Sequence, residues 1–476
     1  MSDFAGLLCR RAVIAGAASS AALSVAWSRA VAQDAARVHV AVGPDAPGRR
    51  VPADFIGLSY ESAILATNYF SPRNRSVVGL LRTLGGTGVL RIGGNTSDRT
   101  VWHAGQNALP LRDIYVITPA IIDELAACVR ALGWRLIYGL NLGNGTPEDA
   151  AGEAAYVALA LGPQLLAFQI GNEPDGFAAW SGMRAPGYDV SAFVAEWRAF
   201  ADAVRMRVPD APFAGPAVAS EAHWIAPFAD AVGGRIVLLT RHYYADGPAR
   251  APHVSVSRLL RSAPQLKPLL DDVQAVAERH RLPYRISETN SVFAEGHPGV
   301  SDTLAAALWG LEFMFQVAEA GGAGVNFHAG DHKFYTPIGL GAGDGRRAQP
   351  LYYGMLMFRE AGPGALVPAR VTPAAIDLSA YAVRADDGTL RVCLINKDVA
   401  RAVRALIDPG RETGTASLLR LTGQAPEAKD VALGGATVGD LGAWTPLAHE
   451  AVEREGRRVL VELPPASALL LSLTAA

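Results

Sequence analysis

Leu165-Leu-Ala-Phe-Gln-Ile-Gly-Asn-Glu-Pro174 is a short apolar run that stops on a glycine, an amide, a carboxylate and a proline. Six residues, five of them apolar, bounded by turn residues read as a buried parallel strand, Leu165 to Ile170. Pro174 ends it sharply and fixes the loop that follows. Asn172 and Glu173 then stand at the C-terminal mouth of that strand. Further on, Arg285-Ile-Ser-Glu-Thr-Asn290 repeats the arrangement and places Glu288 in the same way.

Working outward, the same rhythm of apolar run, turn and helix-length stretch recurs. Strands are expected at Phe55 to Tyr60, Val89 to Ile92, Arg135 to Leu140, Leu165 to Ile170, Pro212 to Pro216, Ile236 to Thr240, Tyr284 to Ile286 and Gly324 to Phe327. Helices are expected at Pro119 to Leu132, at Ser301 to Ala320 with Ser301 and Asp302 as caps, and at Leu351 to Ala361. Eight strands alternating with helices are the pattern of a (β/α)8 TIM barrel, in the α/β class. An open doubly wound sheet would carry a Gly-rich phosphate turn after its first strand, and the chain has none there. Gly339 to Gly345 lacks the Lys-Ser/Thr of a phosphate loop and reads as a connector. From about Pro363 the pattern becomes all-β. A hairpin of Ala380 to Ala385 with Leu390 to Ile395 turns on Asp386-Asp387-Gly388, and runs at Ala416 to Leu421, Arg458 to Leu463 and Ala468 to Leu473 follow. The chain therefore divides into an export signal peptide at 1–32, an N-terminal strand at 33–50 joining the sandwich, a catalytic barrel at 51–362 and a β-sandwich at 363–476.

Chemistry in such a barrel belongs at the C-terminal ends of the strands. Polar residues collect there: Glu61, Asn95 with Asp98, Asn141 with Asn144, Asn172 with Glu173, His242 with Tyr244, Glu288 with Asn290, and His328 with Asp331. Paired strand-end glutamates are the equipment for cleaving a glycosidic bond. One acid protonates the leaving oxygen while an ionised carboxylate attacks the anomeric carbon. Glu173 is read as acid/base and Glu288 as nucleophile, with carboxyls about 5–5.5 Å apart and retention of configuration. Asn172 is placed to bond the sugar 2-hydroxyl. Arg91 and Tyr244 are the candidates to keep Glu288 ionised, with His242 in support. His328, Asp331 and His332 do not form a metal site, and neither metal nor cofactor is expected.

The chain has 476 residues, half of them apolar, and a net charge of -2. With no basic run, nucleic acid is excluded as a partner. Arg10-Arg11, the apolar run Ala12 to Trp27 and Ala30-Val31-Ala32 read as a cleavable export signal, the twin-arginine route being favoured. A periplasmic or secreted protein is expected, with no membrane association after cleavage and a monomeric state. Cleavage would remove Cys9, and Cys128 and Cys393 fall in different domains, which argues against a disulfide.

Phe55-Ile-Gly-Leu-Ser-Tyr-Glu61, Leu90-Arg-Ile-Gly-Gly-Asn-Thr-Ser-Asp98, Gly171-Asn-Glu-Pro174, His242-Tyr-Tyr244 and Ser287-Glu288 together resemble glycoside hydrolase family 79, the β-glucuronidases and heparanases. The resemblance runs from about Val38 to the C-terminus and points to a bacterial member. It implies a carbohydrate substrate, a glucuronide, whose β-linked glucuronic acid is released by double displacement. Glu61, Asn95 and Asp98 would then bind sugar hydroxyls, and Tyr335, with Lys333 beside it, would hold the sugar carboxylate. The loop after Glu288 departs from the family, with Phe293 where a second tyrosine hydroxyl is expected. Arginines at the rim are scattered (Arg73, Arg75, Arg241, Arg250), which favours short glucuronides over long sulfated chains. The alternatives are a related retaining glycosidase, such as an α-L-arabinofuranosidase, and a non-catalytic glycan-binding barrel.

Overall fold

A computed structural model describes residues 35–43, 49–105, 115–261, 263–343, 345–374, 376–447, 450 and 452–476. The export segment read over 1–32 lies outside the described residues. Eight strands close a barrel in which every neighbouring pair is parallel. In chain order, barrel strands 1 to 8 are Ile56–Glu61, Val89–Gly93, Arg135–Leu140, Leu165–Ile170, Phe213–Val218, Leu238–Asp246, Tyr284–Val292 and Val325–Ala329. All eight overlap the runs read from the sequence. Strands 6 and 7 extend beyond those runs, so His242, Tyr244 and Glu288 sit within strands. A strand holds a side chain more rigidly than a loop, because its backbone N–H and C=O groups are already bonded on both sides.

The helix Leu304–Glu319 is buried along almost its whole length, including Leu308, Leu311, Phe313, Met314 and Phe315. A helix apolar on every face needs cover on every face. Barrel strand 8 covers one side, where Phe313 and Trp309 pack on Phe327. The C-terminal domain covers another, where Phe315 stacks on Tyr381 with centroids 4.6 Å apart. The cap of this helix is Thr303, not Ser301 or Asp302. Ser301 Oγ instead accepts the His297 N–H and Asp302 Oδ1 the Gly299 N–H, so both residues brace the turn before the helix. Gly339 and Leu340, at the start of the glycine segment read as a connector, belong to the strand Ile338–Leu340, which pairs antiparallel with Arg346–Ala348.

Beyond the barrel lie a five-stranded and a seven-stranded sheet. They share one apolar core, to which Val38, Val40, Ala405 and Val461 come from the first sheet and Leu394, Leu418 and Leu471 from the second. The N-terminal strand Ala36–Val42 lies in the five-stranded sheet, antiparallel to Ala369–Thr372 and parallel to Val403–Asp408. Arg50–Val51 pairs with Gly364–Val367 in the other sheet, a connection with no period-two signal to reveal it. Cys128 and Cys393 are both free and buried. No helix among the described residues is long and apolar enough to cross a membrane.

A buried ion pair ties the two domains. Lys397 Nζ lies 2.9 Å from Glu312 Oε1 on the Leu304–Glu319 helix and 3.1 Å from Asp377 Oδ1. Removing one partner of such a pair strands the other charge away from water. Lys397→Met is expected to lower stability by about 3 kcal/mol, read as an earlier urea midpoint by tryptophan fluorescence. Adding Glu312→Leu to it should recover most of the loss.

Candidate active site

Glu288 is held from three directions. Arg91 Nη1 donates to its Oε2 at 2.5 Å, Tyr244 Oη donates to Oε1 at 2.8 Å, and His328 Nδ1 stands 3.5 Å from Oε2. The Arg91 side chain is wholly buried, and its Nη2 donates to Asn172 Oδ1 at 2.6 Å. Burial alone would raise the Glu288 carboxyl. The charges of His328, His242 and Arg91 and the Tyr244 hydrogen bond overcome burial and hold it well below the usual carboxylate range. Burial and the Glu288 charge push the Tyr244 phenol up, so it stays a donor. The neighbouring Tyr243 points elsewhere and stacks on Phe313 at 5.3 Å.

Glu173 takes a left-handed backbone conformation, φ 48° and ψ 53°. A β-carbon makes that region unfavourable, and the following Pro174 disfavours the ordinary helical alternative. The turn is fixed by the Glu173 N–H on Ala217 O at 3.1 Å and the Gly176 N–H on Glu173 O at 2.8 Å. Its side chain thereby meets the buried His242, whose Nδ1 is 2.8 Å from Glu173 Oε1. Oxygens of Glu173 and Glu288 and a ring nitrogen of His242 all lie within 4.8 Å of one another. That is donor spacing for a metal, but the Arg91 guanidinium and the Tyr244 hydroxyl already occupy Glu288. A divalent cation would have to sit against a buried guanidinium. The other trio considered from sequence is split, since Asp331 is ion-paired to Arg346 at 2.6 Å and His328 Nε2 lies 2.8 Å from Lys333 Nζ.

Both glutamates open onto one cavity of about 700 Å³, also lined by Glu61, Asn95, Tyr244, His328, Lys333 and Tyr335. Glu61 accepts the N–H and hydroxyl of Thr96, both at 2.8 Å. Burial would raise its carboxyl, but the hydrogen bond and charge of His328, together with the Lys333 charge, lower it to about 2. Two glycines of the Arg91-Ile-Gly-Gly-Asn95 run make this possible. A β-carbon on Gly94, at φ +72°, would fall 2.5 Å from Glu61 Oε2, and one on Gly93 would fall 2.9 Å from Arg91 Cζ. Among the described residues lining the cavity, Lys333 is the only lysine or arginine.

Asn172 lies behind the cavity wall, bonded to Arg91 and, through its Nδ2, to Asn95 Oδ1 at 3.1 Å. Asp98 is a correction. It does not line the cavity; its Oδ1 accepts the N–H groups of Leu142 and Gly143 at 3.1 and 2.8 Å. Buried in the short turn Ser97–Arg99 beyond strand 2, it satisfies backbone donors of the next loop rather than sugar hydroxyls. Arg241 is likewise not a rim cation, being buried with Nε on His242 O. Five lining residues escaped the sequence reading: Trp180, Ala219, Ser220, Ala294 and Glu295. They sit in loops without periodicity, and only the isolated Trp180 in a glycine-rich turn offered any signal.

No family model matches the chain. It is 26% identical over 402 residues to a curated β-glucuronidase of Aspergillus niger, covering 74% of this chain and 73% of that protein. It is also 27% identical over 352 residues to one of Neurospora crassa, with 63% and 61% covered. The chain is similar in sequence to β-glucuronidases. Its fold matches a 4-O-α-L-rhamnosyl-β-D-glucuronidase of Fusarium oxysporum 12S at 22% identity and TM-score 0.76, over 92% of this chain and 100% of that one. A GH51 arabinofuranosidase of Xanthomonas axonopodis pv. citri matches at 18% identity and TM-score 0.70, over 92% and 99%. These last two likenesses establish the barrel fold.

The Tyr244 hydrogen bond helps hold Glu288 ionised, so losing it raises the Glu288 pKa. Tyr244→Phe is expected to move the acid limb of the kcat/KM–pH profile to higher pH. At the optimum, kcat/KM should fall about tenfold to a hundredfold, the value of a hydrogen bond to a charged group.

Proposed function

We propose that this protein is a retaining glycoside hydrolase that releases β-linked glucuronic acid from glycoconjugates or oligosaccharides. The observation that carries the reading is the meeting of Glu173 and Glu288 oxygens within 4.8 Å at one cavity. Inverting enzymes need a water between their carboxyls, and so hold them about 6.5–9.5 Å apart. Here the nucleophile must reach the anomeric carbon directly.

The residues divide the work as follows. Glu288, kept ionised by Arg91 and Tyr244, attacks C1. The C1–O bond breaks as Glu173 gives its proton to the departing oxygen, leaving a glycosyl ester on Glu288. Water then attacks C1 while Glu173 takes a proton from it, and Glu288 leaves as carboxylate. His242, on Glu173 Oε1, orients that carboxyl through both steps.

In this reading the sugar carboxylate falls to Lys333 and Tyr335, both of which line the cavity. The relatives named β-glucuronidase support that substrate, while an arabinofuranosidase would give this cation nothing to bind. Phe293 does line the cavity but offers no hydroxyl, so the carboxylate relies on Lys333 and Tyr335. Both glutamates being present and in reach argues against a barrel that only binds glycans. The paired arginines and A-x-A site at the N-terminus support action outside the cytoplasm.

Hydrolysis of 4-nitrophenyl β-glucuronide is expected to exceed that of the matching glucoside by more than about a hundredfold in kcat/KM, given one charged contact and its hydrogen bonds. Glu288→Gln should lower kcat by about 10⁴-fold or more. Glu173→Ala should stall after the first step, and azide should restore turnover with a β-glucuronyl azide as product. Wild-type levels of turnover in both variants would remove the assignment.

A further inference from the structure

The cavity has two unlike halves. From barrel strands 1 and 8 and their loops come Glu61, His328, Lys333 and Tyr335, a polar wall of hydrogen-bonding groups. From the loops after strands 4 and 5 come Trp180, Ala219 and Ser220. In an eight-stranded ring, strands 8 and 1 lie across from strands 4 and 5. The acid must reach the leaving oxygen, so the departing group lies on the side of Glu173, which is strand 4. Trp180 is therefore on the leaving-group side.

Its environment fits a binding surface. Trp180 is 55% exposed although it lines the cavity, an unusual placement for the largest apolar side chain. It is nevertheless held in place. Its backbone N–H donates to Gly176 O at 3.0 Å, and the indole lies against Gly176, where a β-carbon would come within 2.1 Å of Trp180 Cε2. Gly176 belongs to the turn that sets Glu173, since its own N–H donates to Glu173 O. The same short turn thus fixes both the proton donor and the indole. The adjacent wall is also braced: Asp175 accepts the N–H groups of Ala219, Ser220 and Glu221 between 2.8 and 3.2 Å.

We propose that Trp180 is the specificity-determining platform of the leaving-group subsite, stacking on a flat-faced departing group such as a sugar ring or an aryl ring. The proposal rests on the glycosidase reading above and names the part of the site that reading leaves open. A ring face on an indole excludes water from apolar surface on both sides. It also holds the leaving oxygen against Glu173, because the indole and that carboxyl hang from one turn. The sugar half of the substrate never touches Trp180.

The test compares Trp180→Ala and Trp180→Phe with the intact protein on three substrates: 4-nitrophenyl β-glucuronide, a β-glucuronyl disaccharide, and β-glucuronyl fluoride, whose leaving group is a single atom. Trp180→Ala is expected to lower kcat/KM at least tenfold on the first two, mainly through KM, and less than twofold on the fluoride. Inhibition by free glucuronic acid should stay within twofold, and Trp180→Phe should recover most of the loss. A loss confined to the disaccharide, the one substrate whose departure needs a proton from Glu173, would make Trp180 a structural support of that carboxyl and overturn the proposal, as would an equal loss on all three substrates or no loss on any. If the intact protein cleaves a different glycoside and no glucuronide, the substrate reading fails. The same comparison with that glycoside and its fluoride then still decides the role of Trp180.

Discussion

The site depends on one buried pair of opposite charges, Arg91 with Glu288. The guanidinium has no exposure to water, and the carboxylate has almost none. A pair like this contributes little net stability, since removing two charges from water offsets most of their attraction. What it fixes is position. The planar fork of Arg91 spans Glu288 on strand 7 and Asn172 at the end of strand 4, so three strand ends are tied at one point. Gly93 and Gly94 are the necessary companions, because side chains there would collide with Arg91 and with Glu61.

Two glutamates with different tasks then follow from two different surroundings. Glu288 is ringed by Arg91, Tyr244 and His328, all of which favour its charge. Glu173 meets a single imidazole and hangs on a strained left-handed turn, with its side chain slightly more open to the cavity. Backbone strain of this kind persists only where surrounding bonds over-determine it, as the contacts to Ala217 and Gly176 do here.

The barrel was legible because each strand is buried on both faces, which writes a continuous apolar run into the sequence. Both glutamates were legible for the same reason, as carboxylates at the ends of such runs. Asp98 misled because a carboxylate beyond a strand end serves loop backbone as readily as a ligand, and sequence does not say which way it turns. Trp180, Ser220 and Glu295 lie in irregular loops, where spacing carries no directional information. The Leu304–Glu319 helix was visible as a long apolar stretch, yet its start was read three residues early. Ser301 and Asp302 do cap backbone N–H groups there, only in the preceding turn.

The strand Ala36–Val42 has a consequence for how the molecule is made. Its partners, Ala369–Thr372 and Val403–Asp408, emerge from the ribosome more than 300 residues later. Until then its alternating valines have no core to enter, while the whole barrel can form in between. The all-β module is thus completed only after the barrel segment between these strands has been made, and a nascent chain stopped at the end of the barrel would carry a bare, sticky edge.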